Sequence, residues 1–135
     1  MAKMIPDIPK QFDPKSQEGL MFEELNKLSD EYYVFHSFSI VTIINNIIKE
    51  SETDFVIFHP KKGILCLEAK AGQVDYADGY WRYGSGKKMP KDGPYNQASS
   101  NKWKLKDYML SKGLKYELEH CKLLHGVWFV DVPIS

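Results

Sequence analysis

Two short apolar runs, residues 53–58 (TDFVIF) and 64–69 (ILCLEA), flank the segment His59-Pro60-Lys61-Lys62-Gly63, and nothing else in the chain constrains its folding as strongly. β-branched and aromatic residues on both sides, with a proline and a glycine free to take positive φ between them, specify an antiparallel hairpin. Glu68 and Lys70 are two apart and face one side of a strand, whereas Leu65 and Leu67 face the other. Folding about the turn brings Asp54, expected at the start of the first strand, opposite Glu68 and Lys70 at the end of the second.

Two acids and a lysine at one spot are the assortment that phosphodiester hydrolysis needs. Carboxylates are hard oxygen ligands for Mg²⁺ or Mn²⁺, a bound ion polarises phosphate and acidifies water, and a nearby cation offsets developing negative charge. On this reading Asp54 and Glu68 are metal ligands, and Lys70 orients water or stabilises charge. The plainer alternative is an exposed hairpin end with a surface ion pair, since Glu-x-Lys alone is common.

The rest of the chain supplies the setting. Residues 1–15, with three prolines and little periodicity, read as an irregular arm on the surface. In residues 16–28, Met21, Phe22, Leu25 and Leu28 fall on one helical face, with Glu18 near the same stripe. An ionised group facing a core is costly, so Glu18 either turns outward at the helix start, where negative charge suits the dipole, or gives the metal shell a third acid. Residues 32–41 read as a strand, and 43–49 read equally as its continuation or as a short helix. Trp81 and Tyr83 alternate in a short strand, residues 96–110 resume helical spacing with Gln97, Asn101, Leu105 and Tyr108 on one side, and residues 127–130 form a buried strand.

At 135 residues, 43% of them hydrophobic, the chain suits one compact domain. A formal net charge of zero means that any nucleic-acid surface is local rather than a global basic field. Cys66 and Cys121 are too few for a disulfide framework and read as small apolar side chains in a reducing, cytoplasmic setting. No apolar run approaches the length that spans a bilayer, so no membrane partner is expected.

The segments EGLMFEELNKL, TDFVIFHPKKGILCLEAK and GPYNQASSNKW, in that order, resemble the nuclease-related domain (NERD) family of the PD-(D/E)xK superfamily, over residues 16–110. The resemblance implies an α/β restriction-endonuclease-like core, a mixed central β-sheet flanked by α-helices, within one domain over residues 16–135 that can belong to a longer multidomain protein. It implies a divalent-metal-dependent nuclease acting on DNA, RNA not excluded, with Mg²⁺ or Mn²⁺ as cofactor and a helicase region in the same chain or complex as partner. Position by position, the helix acid is Glu18, the aspartate Asp54, the Glu-x-Lys pair Glu68 and Lys70, and the following glutamine Gln97. The family pattern has Gly-Glu at the helix acid, whereas this chain has Gln17-Glu18 followed by Gly19. The alternative on the same fold is a binding or protein-interaction module without turnover.

Gln97 would sit at a helix start, where backbone amides can face phosphate. Lys87, Lys88 and Trp81, with Lys91, Tyr83 and Tyr95 nearby, read either as a solvated loop or as a basic, aromatic edge that grips a backbone and stacks on bases. The order Gly84-Ser85-Gly86-Lys87-Lys88 lacks the spacing of a nucleotide-binding loop, and His120, Cys121 and His125 lack a second ligand pair for structural zinc.

Overall fold

The computed structural model describes residues 1–7, 18–70, 74–77, 80–83 and 93–129. In chain order the elements are β1 (Lys3–Ile5), α1 (Glu18–Asn26), β2 (Tyr33–Ile44), β3 (Ile47–His59), β4 (Gly63–Lys70), β5 (Val74–Ala77), β6 (Tyr80–Tyr83), α2 (Gly93–Ser111), α3 (Lys115–Glu119) and β7 (Leu123–Phe129).

A mixed five-stranded sheet runs in the order β1-β2-β3-β4-β7, and β5 and β6 form a separate hairpin. β2, β3 and β4 are antiparallel neighbours, while β1 runs parallel to β2 and β7 parallel to β4. Parallel pairs need crossovers, which α1 supplies on one side and α2 with α3 on the other. Each crossover buries its apolar stripe on one face. Met21, Phe22 and Leu25 of α1 pack with Val34, Phe55, Ile57 and Leu67, and Leu105 of α2 packs with Ile40, Val56, Ile64 and Cys66. β4, flanked by β3 and β7 and covered on both faces, accordingly reads as a nearly continuous apolar run up to Glu68.

The hairpin read from residues 53–69 is present as β3 and β4, with Gly63 at φ +104°, where an added side chain would run into the Lys122 carbonyl. His59 holds the turn: its Nδ1 accepts from the Lys61 and Lys62 amides, and its Nε2 meets Glu31 at 3.1 Å.

Four expectations change. The N-terminal arm is not wholly irregular: Lys3–Ile5 adds a parallel edge strand, and Ala2 and Met4 join the α1-side core. Residues 43–49 are a second hairpin, because Asn45 and Asn46 take φ of 51° and 63°, the pair of positive values that a two-residue type I′ turn requires. Asp54 consequently lies inside β3 rather than at its start. β7 begins at Leu123 and is half-buried, and Val130 lies outside the described residues.

Candidate metal centre

The sheet forks at Asp54. From Phe55 to His59, β3 pairs with β4, the last register pair being Phe55 with Leu67. Before Asp54, β3 pairs with β2 alone among the described residues. Instead of continuing the ladder, the Asp54 side chain accepts a hydrogen bond from the Ala69 amide, with Oδ2 2.8 Å from the nitrogen. That bond ties the aspartate to the residue between Glu68 and Lys70.

On the other edge the β2–β3 ladder also breaks, because the register passes from His36–Phe55 to Phe38–Thr53 and omits Ser37 opposite Asp54. Ser37 has φ 52°, a left-handed conformation that a non-glycine residue adopts at a cost. It reverses the alternation of β2: His36 meets Phe22 of α1 edge-on, whereas Phe38, two residues later, packs on the α2 side. Asp54 is thus freed from regular pairing on both edges.

Glu68 is 7% exposed and lies in the fork beside Asp54. Burial, then the charge of Asp54 and the hydrogen bond between the two carboxyl groups, push its pKa up from 4.5 to about 7. Opposing them, Asn101 Nδ2 donates to Glu68 Oε1 at 2.6 Å, and the charge of Lys70 favours the ionised form. Asn101 Nδ2 also lies 3.5 Å from the Glu52 carbonyl, so one α2 amide spans both arms of the fork.

Asp54, Glu68 and Lys70 are therefore brought together. Gln97 joins them less directly, since it lines with Glu68 a cleft of about 320 Å³ between the fork and α2. The other lining residues are Glu52, Asn96, Ser100, Asn101 and Lys104.

Glu18 opens α1, the helix whose apolar face packs on the opposite side of the sheet from α2. Among the described residues no three His, Cys, Asp or Glu side chains gather as a metal site, so Glu18 does not complete the pair in this arrangement. The donor set nonetheless suits a hard divalent cation: two carboxyl groups meet in the fork, and the charge of Asp54 disfavours the ionisation of Glu68 until positive charge enters.

Trp81 is half-buried. Its ring stacks on Phe129 at 5.7 Å and 13°, and Tyr95 and Tyr76 contact it at 5.6 and 5.2 Å. A Cβ on Gly93, at φ +67°, would come within 2.6 Å of it. This packing anchors the β5–β6 hairpin to β7 and the start of α2. Lys87 and Lys88 lie outside the described residues.

Sequence reasoning gave Asn101 no role. Its signal was the four-residue step from Gln97, which puts two amides on one helix face. The Ser37 distortion left no signal, because serine is an ordinary strand residue by composition.

His36, His120, Cys66 and Cys121 have local partners or apolar surroundings. His36 Nε2 donates to the Pro6 carbonyl at 2.9 Å, and His120 Nδ1 donates to the Tyr116 carbonyl at 2.8 Å. Cys66 is fully buried, and that burial pushes its thiol up to about 11. No helix among the described residues is long and apolar enough to cross a membrane.

The model of the nuclease-related domain (NERD) family matches residues 15–130. No curated protein matches the chain, and no solved structure does.

Proposed function

The chain belongs to the nuclease-related domain family, and we propose that it hydrolyses phosphodiester bonds of nucleic acid, DNA in the first place, with a divalent metal ion. The mixed sheet with helices on both faces is consistent with a restriction-endonuclease-like core. The observation that carries the reading is the fork itself, where Asp54 and Glu68 meet beside Lys70 in a break of the sheet.

Asp54 and Glu68 would hold Mg²⁺ or Mn²⁺. When bound, such an ion polarises a phosphoryl oxygen and lowers the pKa of water. Asn101 keeps Glu68 Oε1 occupied and so fixes the rotation of the carboxylate. The Asp54–Ala69 bond holds the aspartate against the end of β4. Lys70 carries a positive charge to the place where the phosphoryl oxygens and the leaving oxygen gain negative charge. Gln97, on the cleft wall, offers a neutral donor to the phosphate or to a water.

Cleavage of labelled single-stranded and duplex DNA and of RNA tests the reading, with wild type compared with Glu68→Gln, Lys70→Ala and Glu18→Ala. Metal-dependent cutting lost in Glu68→Gln and Lys70→Ala is expected, and the Glu18→Ala arm decides whether the first acid of α1 contributes. Binding of nucleic acid by a well-folded wild type without any cutting would instead make the chain a binding module on a nuclease scaffold.

A further inference from the structure

We infer that the α2 wall of the cleft is a track for one sugar-phosphate backbone, and that Lys104 holds the phosphate neighbouring the one that is cut. The inference rests on the reading of the fork as a hydrolytic centre and names what lies beside it.

The cleft-lining residues of α2 are Asn96, Gln97, Ser100, Asn101 and Lys104. They follow helical steps of one, three, one and three residues, so they form a single stripe along the axis. At 1.5 Å per residue the stripe from Asn96 to Lys104 is about 12 Å long, against a rise of roughly 3.4 Å per nucleotide in a stacked strand. It is the length of about three nucleotides. Asn101 bonds Glu68, which fixes the reacting point within the stripe, and Lys104 lies three residues, about 4.5 Å, further along the axis.

The chemistry of the wall selects a ligand class. Two asparagines, a glutamine, a serine and a lysine offer hydrogen bonds and one positive charge, and among the described residues no aromatic or aliphatic side chain lines the cleft to stack on a base. Such a surface reads phosphate and sugar rather than sequence. Lys104 is exposed, and among the described residues it makes no ion pair, so its charge is available to a ligand. The lysines beside it are differently engaged: Lys102 and Lys106 each sit 4.9 Å from the Trp103 ring centre. A chain of zero net charge thereby needs no basic face, because the cation is placed where the strand must pass.

The test is binding of a fluorescent mixed-sequence single-stranded DNA 20-mer in EDTA, where cutting is suppressed, across a series of salt concentrations. Lys104→Ala is compared with wild type, with Lys104→Arg, and with Lys27→Ala, just past the end of α1, as a remote control. Lys104→Ala is expected to weaken binding roughly three- to fivefold at low salt and to lower the salt slope by about 0.7, equally for oligonucleotides of different sequence. Lys104→Arg should restore both, and Mn²⁺ affinity by calorimetry should stay at the wild-type value.

An unchanged affinity and slope in Lys104→Ala overturns the inference, as does absence of oligonucleotide binding by folded wild type. A changed Mn²⁺ affinity overturns it too, by placing Lys104 at the ion. Lys104-dependent binding by a protein that never cuts would refute hydrolysis while leaving the backbone track standing.

Discussion

Glu68 is the residue on which the account turns, because burial and Asp54 raise the pKa of its carboxyl group to about 7. Its folded pKa of about 7 lies above the ordinary 4.5, so between those values the folded chain holds a proton that the unfolded chain has released. In the absence of metal, stability from this group is full below about pH 4.5 and declines as pH rises through about 7. A divalent ion needs the ionised form, so its binding must expel that proton. Calorimetry of Mn²⁺ binding in buffers of different ionisation enthalpy should show roughly one proton released at pH 6 and close to none at pH 8. Release that does not vary with pH would mean that Glu68 is not a ligand. Asn101 acts on the same group, and its loss removes the hydrogen bond that favours the ionised carboxylate. Asn101→Ala should therefore weaken Mn²⁺ binding at pH 7 by about tenfold or more, the usual effect of an outer-shell partner. An unchanged Kd would reduce Asn101 to a packing residue.

At the scale of elements the decisive feature is the double interruption of β3. β4 leaves it after the Phe55–Leu67 pair, and β2 skips the Ser37–Asp54 pair. A regular three-stranded ladder would keep Asp54 in backbone pairing and leave no gap for an ion. Ser37 sustains the gap by taking a left-handed conformation, at a cost of about 1–3 kcal/mol to the fold. Straightening it would turn Phe38 and Ile40 away from the α2-side core, where both now pack. Ser37→Val, a β-branched residue unsuited to positive φ, should consequently destabilise by about 2 kcal/mol, whereas Ser37→Gly should be close to neutral. Urea denaturation of the two variants distinguishes them, and equal stabilities would show that the distortion carries no strain. The second support is the Trp81–Phe129 stack, which seats the β5–β6 hairpin against the start of α2, the helix that carries Gln97 and Asn101.

For the whole molecule, much of the fold and the centre was legible from residues. The hairpin of residues 53–69 could be read because its turn chemistry and apolar alternation agree, and the approach of Asp54 to Glu68 and Lys70 follows from the end at which that hairpin opens. The α1 and α2 helices were visible in their spacing. What escaped depends on long-range geometry: β1 is three residues whose strand character comes from pairing with β2, and Trp81 packs on Phe129, far along the sequence. Asn45 and Asn46 carried a readable signal, two residues that tolerate positive φ, but the apolar run around them obscured it. Glu18 opens α1, where the resemblance put a helix acid, and yet is not gathered with the other two acids. The central claim is that Asp54 and Glu68 hold the ion that makes this molecule a nuclease. Its most direct test is cleavage of labelled DNA by a single sample, first in EDTA, then after excess Mn²⁺, with Asp54→Asn run in parallel. The account predicts no cutting in EDTA, cutting on addition of Mn²⁺, and none by a folded Asp54→Asn under either condition. Cutting that persists in EDTA or in Asp54→Asn, or a folded wild type that stays inert with Mn²⁺, would contradict it.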